Sequence, residues 1–139
     1  MNSDSIQKSL LKELPFKIGE QYELNEFNLK TLESTFSNGL ELENYEYIKE
    51  DFKTLFGLKL DEIILQYNAD ILSGMIYKLA INDLDSLVQE LNNYLPLDKK
   101  LDTDKMNLGQ TFTVFQLHEF SITLDTERVV KFRVFKFLG

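Results

Sequence analysis

Few residues in this chain have the chemistry of a reactive site. His118 is the single imidazole among 139 residues, and there is no cysteine. It sits between two strand-like stretches beside Glu119. Neighbouring strand residues point to opposite faces, so the two do not form an acid–base pair by themselves. General-base catalysis needs a nucleophile within reach and a carboxylate to orient the imidazole, and no spacing here supplies either. His118 reads as an ordinary hairpin-turn residue. One histidine without cysteine also excludes the common zinc constellations. Asp98, Asp102 and Asp104, followed by Asn107 and Gly109, look like the opening of a calcium loop. Counted from Asp102, however, the sixth position is Asn107 where an EF-hand takes glycine, and the twelfth is Thr113 where it takes glutamate. The segment is expected to be a solvated acidic loop, partly neutralised by Lys99, Lys100 and Lys105. The six glycines are isolated, with no phosphate-cradling glycine loop and no nucleophile elbow. No enzyme activity, cofactor or metal is expected.

Charge is the pronounced feature. Between Glu20 and Asp51, nine carboxylates stand against Lys30 and Lys49, a net −7 in a chain whose formal total is −8. Such a concentration attracts basic partners and repels nucleic acid and anionic membranes. Phosphate contacts call for Lys and Arg, so neither nucleic acid nor membrane is an expected partner. Tyr45 and Tyr47 lie among Glu41, Glu43, Glu46 and Glu50, and tyrosines ringed by carboxylates are what a binder of a basic protein presents. These six residues form the expected partner-binding patch. The plainer reading of the same run is a solvated hairpin face that confers solubility.

The last stretch is the counterpoint. Arg128, Lys131, Arg133 and Lys136 place four positive charges there without an acid. Lys131 and Arg133 share one face, while Val130, Phe132 and Val134 share the other. Val134-Phe135 breaks the alternation, as a bulge or a strand end buried on both faces does. This stretch could bind an anionic ligand or nucleic acid. The simpler expectation is that its cations face the acidic strands or guard a sheet edge.

The elements that position these residues follow from periodicity. Ile6, Leu10, Leu11 and Leu14 have helical spacing behind Ser3 or Asp4 as a cap, and Pro15 stops this N-terminal helix. Tyr22/Leu24 and Phe27/Leu29 alternate, as do Leu40/Leu42 after Ser37-Asn38-Gly39, which predicts a hairpin with carboxylates on its wet face. Asp51 is placed to cap a short helical turn carrying Phe52, Leu55 and Phe56, ended by Gly57. Residues 61–81 fit two patterns. Ile63/Leu65/Tyr67 and Met75/Tyr77/Leu79/Ile81 alternate like strands around an Asn68-Ala69-Asp70 turn. Ile63, Ile64, Tyr67, Ile71, Leu72, Met75, Ile76 and Leu79 also make a helical stripe, and the isoleucines and Gly74 favour strands. A central helix near residues 83-95 follows, with Asn82 or Asp83 as its cap. Leu84, Leu87, Val88, Leu91 and Leu95 lie on one face, and Pro96 stands beyond its end. After the polar loop, Thr111 to Leu117, Glu119 to Leu124 and Arg128 to Phe137 read as a meander with Asp125-Thr126-Glu127 as a turn. The expected fold class is α+β. It is one domain over 1–139, mainly an antiparallel sheet with an N-terminal helix and the central helix.

A chain of this length can bury one sizeable core, and eleven Phe and six Tyr require one. No run approaches the roughly 18 apolar residues of a membrane span. The first residues lack a basic region followed by an apolar one, and without cysteine there are no disulfides, so a cytoplasmic location is expected. After the short helix, Leu14-Pro15-Phe16-Lys17-Ile18-Gly19 and then Tyr22-Glu23-Leu24-Asn25-Glu26-Phe27 resemble the start of small acidic bacterial immunity proteins. These are encoded beside toxins in contact-dependent inhibition and related polymorphic toxin systems. The resemblance covers the N-terminal part and carries no site residues over. It implies a cytoplasmic protein that binds and neutralises a cognate toxin domain, often a basic nuclease, by covering its active site or substrate-binding face. Two other classes stand beside it. One is a structural or scaffolding subunit pairing through an exposed strand edge such as Arg128–Phe137; the other is an enzyme of unfamiliar type using His118. The sequence leaves the oligomeric state open.

Overall fold

Alternation of apolar and polar residues dominates the chain, and the backbone follows it into strands. The computed structural model describes residues 10–116 and 120–137. Among them lie β1 (Leu29–Thr31), β2 (Thr35–Ser37), β3 (Leu40–Tyr47), β4 (Thr54–Leu55), β5 (Leu58–Lys59), β6 (Glu62–Asn68) and β7 (Ile71–Leu79). After the helix α1 (Leu84–Asn92) come β8 (Thr111–Gln116), β9 (Phe120–Asp125) and β10 (Val130–Lys136). An eight-stranded sheet runs in the order β1-β3-β6-β7-β10-β9-β8, with β2 also paired to β3. Every pairing in it is antiparallel. β4 and β5 form a separate small hairpin between β3 and β6. A sheet-dominated, antiparallel architecture with few helices is consistent with the α+β class.

One face of the sheet is dry. A row of side chains crosses it from Tyr45 through Leu65, Met75, Val134 and Ile122 to Phe115. A second row runs Ile63, Tyr77, Phe132, Leu124 and Phe112. Leu84, Leu87, Val88 and Leu91, at i, i+3, i+4 and i+7 of α1, join Leu10, Leu14 and Phe16 in the same core. Each such buried side chain contributes roughly 1.5–3 kcal/mol.

The segment at 61–81 forms strands β6 and β7. Ala69 and Asp70, both left-handed at φ 49 and 66, close the turn with the twist a two-residue hairpin needs. Gly74 has a packing reason to lack a side chain, since a Cβ there would stand 2.7 Å from Gln66 Oε1. The hairpin at Asn38-Gly39 also forms, with φ 51 and 79.

Several expectations give way. Tyr22–Leu24 and Glu26–Asn28 are 3₁₀ turns, not strand, because the Tyr22 N–H bonds Asp70 O and Gln21 bridges Ile71. The helical turn expected after Asp51 is the β4–β5 hairpin, in which Phe56 and Gly57 take φ 52 and 78. A left-handed glycine serves a hairpin as readily as a helix stop. The Asp83 side chain makes no cap bond, and α1 is preceded by a 3₁₀ turn at Ile81–Asp83. Ser3, Asp4, Ile6, His118 and Glu119 lie outside the described residues.

The basic strand is internal. β10 sits between β7 and β9, with Val130, Phe132 and Val134 buried, so it is not an exposed edge, and a scaffold that pairs through it loses its strand. Its register against β7 runs unbroken to Phe135, which turns to the second face without a bulge. Nor do its cations face the acidic strand, since β6 and β7 intervene. Lys131 stands between Lys78 and Asp125, and Lys78 holds Glu62 at 3.2 Å.

Candidate functional site

Strand geometry separates the six residues expected to form one patch. Glu41, Glu43, Tyr45 and Tyr47 alternate onto the core side of β3, whereas Glu46 points to the other side, opposite Lys30 and Ile64. Glu50 lies past the end of β3, 3.3 Å from Lys53. Tyr47 is a core residue and not a surface anchor. It is 8% exposed and packs edge-on against Phe16 at 4.8 Å. Its hydroxyl donates to Asp51 Oδ1 at 2.8 Å; burial, then this bond and the nearby charge, push its pKa up to about 12.

Two ends of the sheet result. At one, Glu46, Tyr47 and Glu50 line a groove of about 590 Å³ in which Lys49, Lys53 and Lys59 are interleaved with the acids. Its field is mixed, and exposed pairs such as Glu50–Lys53 add little stability.

At the other end the cavity lining holds Glu23, Glu26 and Asp70 and no lysine or arginine among the described residues. Tyr45 meets Tyr22 and Tyr67 with ring centroids 5.3 and 5.8 Å away, and Tyr22 and Tyr67 are 5.5 Å apart. The Tyr45 hydroxyl donates to Glu43 Oε2 at 3.0 Å. Burial, then that bond and the Glu43 charge, hold the phenol protonated well above its ordinary range. Burial also raises Tyr67, with Glu20 adding to the effect and Asn25 opposing it. Tyr22 and Ile71 also line this cavity, of about 450 Å³. The described salt bridges are Lys49–Asp51, Lys53–Glu50 and Lys78–Glu62, so none involves Glu20, Glu23, Glu26, Glu41, Glu43 or Asp70. Within the same 3₁₀ turns, Leu24 is 66% and Phe27 90% exposed.

The acidic end thus keeps Glu41, Glu43 and Tyr45 from the expected patch and adds residues the pattern did not single out. Tyr22, Leu24 and Phe27 were hidden by an alternation that resembles a strand. Asp70 is distant in sequence and arrives through the Gln21–Ile71 bridge. The available signal was the density of carboxylates around Phe27. Such an end can bind a protein cation by charge and apolar contact. Among the described residues no three His, Asp or Glu side chains converge as metal ligands, and no helix is long and apolar enough to cross a membrane. Compared with protein-family models, curated proteins and solved structures, the chain matches none.

Proposed function

We propose that this chain is a small acidic binding protein, an immunity protein that seats on a basic toxin domain, such as a nuclease, and covers its active site or substrate-binding face in the cytoplasm. The observation that carries this reading is the cavity where Glu23, Glu26 and Asp70 meet without a lysine or arginine in the lining, on the same 3₁₀ turns that leave Leu24 and Phe27 exposed. The carboxylates take the places that phosphates would occupy and speed encounter by long-range attraction. The apolar residues then slow dissociation. Steering of this kind raises association roughly ten- to a thousandfold and weakens with salt.

The test begins with capture of the partner from the native strain and mass spectrometry. Stopped-flow association is then measured for Glu23→Lys/Glu26→Lys beside Glu50→Lys. The double reversal is expected to slow association about tenfold at low salt, with the difference closing at high salt. Glu50→Lys, in the mixed groove, changes it little. Phe27→Ala is expected to speed dissociation while leaving stability within about 0.5 kcal/mol, as for surface substitutions in general. Unchanged association of the double reversal at low salt would remove this face from the account.

A further inference from the structure

The two edges of the sheet are built differently. Beyond β3 the outer edge consists of two three-residue strands, β1 and β2, with an interruption at 32–34, and it carries Lys30 and Glu33. Short, broken and charged edges resist pairing with another chain. The opposite edge is β8, six residues reading Thr-Phe-Thr-Val-Phe-Gln, without a charge, a proline or a glycine. Its ladder runs to β9 on one side only. The Thr126 N–H donates to Gln110 O. By the alternation of an antiparallel ladder, the backbone groups of Phe112 then point at β9 and those of Thr111 and Thr113 point outward. Among the described residues no hydrogen bond reaches these outward groups, and both threonines are exposed.

Two observations identify the occupant of this edge as a second copy of the chain. First, β8 is complementary to itself. Like charges set opposite each other destabilise a strand pair, and β8 has none to oppose across a two-fold axis. The bulge between Thr113 and Phe115 leaves Phe112, opposite Leu124, and Phe115, opposite Ile122, both on the core side. Setting Phe112 beside Phe115 of the second copy therefore continues the sheet with both cores on one side. Phe112 is only half-buried at the rim of the core and gains cover in that pairing. Second, charge favours this edge over the rest of the surface. A formal −8 opposes the approach of two copies, and the acidic run lies on β1 to β3, with β3 five strand spacings from β8. Joined through β8, the two β3 strands stand about 50 Å apart along the sheet, several Debye lengths at physiological salt.

We propose that the chain self-associates reversibly through β8, as a two-fold dimer in which the two sheets join antiparallel into one. The edge is remote from the acidic end and stands or falls without it. The test is sedimentation of the full chain from micromolar to millimolar concentration, where the weight-average mass should rise from 16.3 kDa toward twice that value. Thr113→Pro removes only an outward N–H, and Thr113→Glu sets two carboxylates side by side near the axis. Each should weaken self-association about tenfold or more, because the change enters twice across the axis. Phe27→Ala, at the acidic end, should leave it unchanged. Circular dichroism reports whether the Thr113 variants are folded, and Thr113→Glu, at an exposed side chain, covers the case in which Thr113→Pro is not. The chain has no cysteine, so single cysteines read the register directly. Under mild oxidation Thr113→Cys, beside the axis, should link two copies readily, whereas Thr111→Cys, which faces Gln116 of the second copy, should not. A mass fixed at one chain over the whole range, unchanged self-association in folded Thr113→Glu, or equal linkage at positions 111 and 113 would each overturn the proposal.

Discussion

Asn44→Ala probes the joint that ties the β2 edge and β6 to β3. Asn44 is 7% exposed and lies on β3 where the outer edge passes from β1 to β2. Its Nδ2 donates to Glu33 O at 2.9 Å and Thr35 Oγ1 at 3.0 Å, while its Oδ1 accepts from Gln66 Nε2 at 3.0 Å. One side chain therefore stitches the interruption at 32–34 to β3 and β6. Each such bond contributes about 1 kcal/mol net, and a stranded buried partner costs about 1–3 kcal/mol. Thr35 is exposed, so its hydroxyl turns to water at little cost, but the Gln66 amide has no such exit. The expected loss is about 3 kcal/mol, which leaves a domain of ordinary stability folded. In urea, with a slope near 2 kcal/mol/M, the midpoint should fall by about 1.5 M with the slope unchanged. Gln66→Ala alone should cost less, and the double variant should fall short of the sum by about 1 kcal/mol, because both singles break the same bond. Hydrogen exchange supplies the local readout. The Leu32 amide, bonded to Asn44 O, should exchange faster in Asn44→Ala than amides of β7 and β10 do. A loss below about 1 kcal/mol, or strict additivity with Gln66→Ala, would refute the network as a structural joint.

Two further expectations concern stability. Tyr47 titrates at about 12 in the fold against 10.0 for the free side chain, so its stabilising contribution is whole below pH 10 and is lost as pH rises toward 12. Tyr47→Phe should flatten that alkaline decline, read as urea midpoints from about pH 9 to about pH 11; identical slopes would exclude the cause. Gly39 takes φ 79 and has nothing within 4 Å of an added Cβ, so Gly39→Ala costs backbone strain alone, about 1 kcal/mol. A melting temperature lowered by about 4 °C is expected, and an unchanged one would deny the left-handed turn.

Local pattern carried much of the architecture. Leu84, Leu87, Val88 and Leu91 mark α1 because three leucines and a valine at helical spacing leave one apolar stripe to bury. The meander of β8, β9 and β10 was legible for the same reason at period two. The errors fall where a local signal has two physical solutions. Phe56-Gly57 satisfies both a helix stop and a hairpin turn, and only the pairing of Thr54 with Lys59 decides between them. Tyr22/Leu24 alternates as a strand would, yet the Tyr22 amide is committed to Asp70 O across the chain.

Residue order alone established that this chain is acidic, cysteine-free, rich in strands and equipped with one dense run of carboxylates. It also assigned Lys131 and Arg133 to one face of the last strand and the valines to the other, since side-chain direction follows from a two-residue repeat. Which residues stand together was a tertiary matter. Long-range pairing placed β10 between β7 and β9, brought Asp70 to Glu23 and Glu26, and buried Tyr47. Strand neighbours are chosen by how the whole apolar surface closes into one core, a global condition that no local spacing encodes. The acidic run is therefore divided in the fold between a mixed groove and an acidic end, while Arg133 stands beside Thr123 and lines a cleft without a carboxylate among its described residues.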